Sequence, residues 1–180
     1  MVEIPESGAP APGRRVFFAL VPDAATRARI ARATKDAVGS SGGRPVGKDR
    51  YHATIVFLGS LTPAGVDVAL AVPPIAVGAF DLSLDTLGSF ENGGVLWIGP
   101  ATIPPELAAL EQRLWAALEE RGFIREEREY RPHVTLARRG RRAVESQVEP
   151  IPWRVEELAL VESLPDGRNV HYEVLQTWPL

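Results

Sequence analysis

Arg131-Pro132-His133-Val134-Thr135-Leu136-Ala137-Arg138 sets a histidine two residues before a threonine inside an apolar run. Side chains alternate along a strand, so His133 and Thr135 share one face while Val134 and Leu136 point into a core. A titratable imidazole then stands beside a hydroxyl on a rigid support. The arrangement recurs at Tyr51-His52-Ala53-Thr54-Ile55-Val56-Phe57-Leu58, with Ala53, Ile55 and Phe57 as the expected core-facing set. One such pair is explained by a buried histidine bonded to a neighbouring hydroxyl; two in matched contexts point to function. The remaining histidine, His171, lies on the polar face of Val170-His171-Tyr172-Glu173 and reads as structural.

Outward from these two stretches the elements repeat. Arg15 to Val21 is a short apolar run ending at Pro22, and reads as a buried strand. Asp23 is a candidate N-cap for one helix from Ala24 to Val38, closed by Gly39. Ser40 to Gly47 reads as a loop, and Gly59 as the stop of the first His-x-Thr strand. Pro63 opens a short helix over Val66 to Val72 before Pro73-Pro74. Phe80 to Leu87 alternates as a half-exposed strand, Asn92-Gly93-Gly94 signals a turn, and Val95 to Ile98 resumes as a strand. Pro104-Pro105 opens the clearest helix, with Leu107, Leu110, Leu114, Leu118 and Trp115 on one face and Gly122 at its end. After the second His-x-Thr strand, Val155 to Ser163 and Val170 to Leu175 are strands joined by Pro165-Asp166-Gly167. Strand, helix, His-x-Thr strand, strand thus runs from Val16 to Leu87 and again from Val95 to Ser163. That order predicts a duplicated unit, two lobes about a pseudo-two-fold axis, each presenting one His and one Thr to a shared cleft.

The chain has 180 residues, 45% hydrophobic and 24% charged, an ordinary profile for one domain. Residues 1–13, with their Pro, Gly and Glu, read as a flexible tail, and 14–180 as a single bilobal domain. With 0 Cys there are neither disulfides nor thiolate metal ligands. No apolar run is long enough to cross a bilayer, and the start lacks a signal peptide's pattern, so a cytoplasmic location without membrane contact is expected. A net charge of −3 excludes a chain that is basic throughout, but Arg121 to Arg142 holds eight arginines against three glutamates. Arg125, Arg128, Arg141 and Arg142 fit solvated loop charges as well as a function. Arg138, ending the strand that carries His133, fits contact with an anion.

Three chemistries fit paired His-x-Thr motifs. A zinc site would use both histidines, but it wants a third ligand, and threonine is a poor one. A threonine nucleophile would want a base with its own orienting acid. The symmetric reading needs neither: one histidine acts as general base and one as general acid on opposite sides of a phosphorus, while two hydroxyls donate to its oxygens. That chemistry needs no metal and no cofactor.

The paired motifs resemble those of the 2H phosphoesterase superfamily, and within it the RNA 2′,3′-cyclic phosphodiesterases, also called 2′-5′ RNA ligase-like or ligase-T-like proteins. The likeness extends from Arg15-Val16-Phe17-Phe18-Ala19-Leu20 through Leu87-Gly88-Ser89-Phe90 and Val95-Leu96-Trp97 to Trp178-Pro179-Leu180. It implies an α+β fold, bilobal, with two antiparallel sheets lining a central cleft and helices outside. It implies hydrolysis of a terminal 2′,3′-cyclic phosphate on RNA or a nucleotide to a 2′-phosphate, without metal, by a monomer. By position His52 matches the proton donor, His133 the acceptor, and Thr54 and Thr135 the phosphate-binding hydroxyls. Arg138 matches a basic residue near the phosphate, and Arg131 is a further substrate-binding candidate. Phe18, Tyr51 and Trp97 are candidates to stack on a base or ribose; Phe18 and Trp97 fit a core role equally. Another cyclic phosphate, a 2′-5′ linked oligonucleotide, and a nucleotide-binding module without turnover remain open alternatives.

Overall fold

Val16 to Leu20 is the most completely buried run at the start of the chain, and it forms the body of strand β1 (Arg14–Leu20). The computed structural model describes residues 13–90, 94–125, 129–141, 145–167 and 169–180. The expected tail, apart from Gly13, and most of the Asn92-Gly93-Gly94 turn lie outside these.

After β1, the Asp23 side chain caps α1 (Ala24–Ala33), accepting from the Thr26 N–H at 2.6 Å. The single helix expected to Val38 is two. The Thr34 hydroxyl donates back to the Ile30 carbonyl at 2.8 Å, its φ departs to −103°, and α2 (Lys35–Ser40) restarts beyond it and runs through Gly39. The expected loop then contains β2 (Arg44–Pro45) and a single 3₁₀ turn, Lys48–Arg50.

The first His-x-Thr strand is β3 (Ala53–Leu61), and Gly59 does not stop it. Its register against β1 slips twice, at Ile55 and at Leu58, and Gly59, next to the second slip, takes φ +76°. Each bulge inverts the inward-outward alternation. Ala53, Ile55 and Val56 are therefore buried, whereas Phe57, expected in the core, is 42% exposed on the cleft side.

The rest comprises α3 (Pro63–Leu70), β4 (Phe80–Phe90), β5 (Val95–Gly99), α4 (Pro105–Glu119), β6 (Val134–Arg138), β7 (Ser146–Val155), β8 (Glu157–Asp166) and β9 (Asn169–Pro179). Thr62 caps α3 through the Gly65 N–H. Strand β7 was not expected, because Pro150 and Pro152 interrupt its alternation of buried Ile151, Trp153 and Val155. It lies at the sheet edge, where a missing N–H removes no ladder bond. Val155 thus closes β7 rather than opening β8.

Among the described residues the strands form one antiparallel succession, β7-β4-β5-β6-β3-β1-β8-β9, with β2 added on β6. Equating β3 with β6, β1 with β5, β8 with β4 and β9 with β7 makes this order a palindrome about the β3–β6 junction. The halves are not separate in space. Strand β4 from the first half joins β5 and β7, whereas β8 and β9 from the second join β1. The helices interlock likewise: α1 packs on β7 and α4 on β3. The core lies under α4, where Leu107, Leu110, Leu114 and Leu118 are fully buried.

Leu114→Ala is expected to lower the unfolding free energy in urea by about 3 kcal/mol, and Phe57→Ala by less than about 1 kcal/mol. Equal costs would contradict the assignment of Phe57 to the cleft.

Candidate active site

Each histidine sits immediately before its strand, where the backbone turns in from a loop. His52 Nδ1 lies 2.9 Å from the Arg50 carbonyl, and His133 Nδ1 lies 2.8 Å from the Arg131 carbonyl. A carbonyl only accepts, so Nδ1 carries the hydrogen and the lone pair of the neutral ring is on Nε2. Both copies select this tautomer with the carbonyl two residues earlier. The following residues, Ala53 and Val134, are paired across the β3–β6 junction.

Aromatic rings hold each imidazole. His52 lies 4.9 Å from Phe17 and 4.9 Å, edge-on, from Tyr172. His133 lies 4.8 Å, edge-on, from Phe90, with Trp97 at 6.4 Å. Burial pushes the His52 pKa down to about 4; the charges of Arg138, His133 and Arg27 add to this, against the Arg50 carbonyl. At neutral pH His52 is therefore uncharged in the free protein.

A cavity of about 760 Å³ is lined by His52, Thr54, His133, Thr135, Arg131 and Arg138, and is wide enough for a nucleotide. Both His-x-Thr pairs thus meet in one space, as the duplicated order required. Arg131 also lies with its guanidinium 4.7 Å over the Trp97 ring and is ion-paired with Glu145. Among the described residues no group of three or more His, Cys, Asp or Glu is placed to hold a metal ion. Nor, among them, is any helix long and apolar enough to cross a membrane.

Three expected aromatic contacts lie elsewhere. Phe18 is fully buried on the core face of β1, 5.6 Å from Trp178; Phe17, its neighbour, takes the cleft face. Tyr51 is 5% exposed and packs in the core. Trp97 is 2% exposed and serves as backing for Phe90 and Arg131 rather than as an open stacking surface. The rings that line the cavity are Phe57, Phe90, Trp115 and Tyr130. Tyr130 could have been picked out as the last aromatic before Arg131-Pro132-His133. Phe57 required knowledge of the bulges. His171 is exposed on β9 and is not among the cavity-lining residues.

The chain is similar in sequence and fold to known proteins. The chain is 29% identical over 170 residues to the RNA 2′,3′-cyclic phosphodiesterase of Escherichia coli, covering 93% of this chain and 97% of that protein. It is 28% identical to the RNA 2′,3′-cyclic phosphodiesterase of Archaeoglobus fulgidus, covering 69% and 72%. The crystal structure of E. coli LigT complexed with 3′-AMP superposes with a TM-score of 0.81 at 29% identity, covering 94% of this chain and 98% of that one. The model of the 2′-5′ RNA ligase superfamily matches residues 21–167, and with the fold and the paired motifs this shows that the chain belongs to that family.

Proposed function

We propose that this chain hydrolyses the terminal 2′,3′-cyclic phosphate of RNA or of a nucleotide to a 2′-phosphate, using His133 as general base and His52 as general acid. The observation that carries this reading is the mirrored pair: two imidazoles in the same tautomer and two threonine hydroxyls around one cavity. The relatives named for that activity support the substrate class.

In the proposed step His133 Nε2 takes a proton from water as its oxygen bonds to phosphorus. The bond from phosphorus to the 3′ oxygen breaks, and His52 gives its proton to that oxygen. Thr54 and Thr135 donate to the non-bridging oxygens, where charge grows. Arg138 and Arg131 supply positive charge beside them. The proton balance closes between the two imidazoles, so no metal enters the step. His52 takes up its proton from solvent when substrate binds: a phosphodiester anion between it and Arg138 offsets the burial and the cationic neighbours that keep it neutral. Residues 14–180 would act as one unit. Both motifs come from one chain, so a monomer in the cytoplasm would be complete.

His52→Ala and His133→Ala are each expected to lower kcat/KM on a nucleoside 2′,3′-cyclic phosphate by about 10²–10⁴. Phosphorus NMR of the wild-type product should assign a 2′-phosphate; a 3′-phosphate would reverse the leaving group. Activity should be bell-shaped in pH, rising as His133 loses its proton and falling as His52 does in the complex, and should survive EDTA. Monotonic activity through neutral pH, or loss restored by zinc, would contradict the mechanism. Proton NMR should give His52 a midpoint near 4 in the free protein, moving upward on saturation with a nucleoside 2′-phosphate. An unchanged midpoint would remove His52 as the acid.

A further inference from the structure

The cavity's lining breaks the pseudo-two-fold: α4 contributes Glu111 and Trp115, and α1 contributes no residue. On one side the segment before His52 pairs with β6, Arg44 against Arg138 and Pro45 against Ala137, and closes the gap next to Thr135. Before His133 the described residues Glu129 to Pro132 form no strand. The cavity extends past Thr54 and Phe57 to Trp115 and Tyr130, with Glu111 lining it from α4.

The polar groups of this arm are arranged as a pair. Glu111 is 6% exposed, and Arg125 holds its Oε1 at 2.8 Å while lying 5.9 Å over the Trp115 ring. The Tyr130 hydroxyl is buried and, among the described residues, has no hydrogen-bond partner. Burial and the Glu111 charge raise its pKa, so it stays protonated and can donate. A buried phenol without a partner costs about 1–3 kcal/mol, which a ligand acceptor would offset. The arm thus offers a carboxylate that only accepts, a hydroxyl that donates, and aromatic walls.

We infer that this arm is a nucleobase subsite that selects a base carrying an amino group beside an unprotonated ring nitrogen, the edge of cytosine or adenine. Glu111 accepts from the amino group, Tyr130 donates to the ring nitrogen, and Trp115 and Phe57 cover the ring. Uracil turns a carbonyl toward the carboxylate and a ring N–H toward the hydroxyl, and is disfavoured. The inference rests on the cyclic-phosphodiesterase reading for its substrate class.

Cytidine and uridine differ only at this edge, so they form the test pair. Turnover of their 2′,3′-cyclic phosphates and calorimetric binding of their 2′-monophosphates are compared for wild type, Glu111→Gln and Tyr130→Phe. Wild type should favour cytidine by about tenfold or more in both measurements. Glu111→Gln, whose amide can donate to the uracil carbonyl, should erase or invert that ratio. Tyr130→Phe should weaken cytidine binding by about tenfold with little change for uridine. Equal use of both bases by wild type, or an unchanged ratio in Glu111→Gln, overturns the subsite. Preferential binding of cytidine without turnover of either cyclic phosphate supports the subsite and overturns the phosphodiesterase activity. Neither binding nor turnover overturns both.

Discussion

The pairing of Ala53 with Val134 holds the molecule's two halves in register. Four strands extend from it on each side, and the order is the same read from either end. Because an antiparallel pair has a local two-fold of its own, whatever flanks one partner is repeated beside the other. His52 and Thr54 flank Ala53; His133 and Thr135 flank Val134. Convergence of the four side chains on one cavity is thus a consequence of strand register. A slip of one residue in either strand would send its histidine to the core face and its small apolar residue to the cleft, and part the two motifs. The interlocked helices, α1 on β7 and α4 on β3, oppose such a slip, since each is covalently tied to one half and packed on the other.

Much of this was legible in the chain. Period-two patterning announces the His-x-Thr strands, and leucines at three- and four-residue steps announce α4. The duplicated order announces the cleft and the four polar groups in it. What was not legible has particular causes. The bulges at Ile55 and Leu58 are a property of β3 against β1, so no feature of β3 alone tells that Phe57 leaves the core. The same offset decides that Phe17 rather than Phe18 stands beside His52. Strands β2 and β7 contain prolines that are tolerated because each lies at a sheet margin, a position that only the assembled topology defines. The exchange of β4 for β8 and β9 between the halves leaves no local trace, because a strand reads alike in either lobe.

Symmetry delivers two equivalent imidazoles, but an acid and a base cannot be equivalent. The environment separates them. Phe17 and Tyr172 enclose His52, and Arg138 reaches it from the strand that carries the other motif. Burial and Arg138 disfavour a proton on His52 until an anion compensates them, and in the proposed mechanism that anion is the phosphate between the two threonines. Under the proposed mechanism the site is charged for acid catalysis only when occupied.

The same departure from symmetry shapes the cavity. Arg44 and Pro45 pair with β6 on one wall. On the other wall α4 supplies Glu111 and Trp115, whereas its counterpart α1 supplies no lining residue. Duplication thus accounts for the phosphate-centred chemistry, which is indifferent to the base. Recognition of anything attached to that phosphate requires one side to differ from the other, and the helix that walls the cavity, α4 without α1, is such a difference.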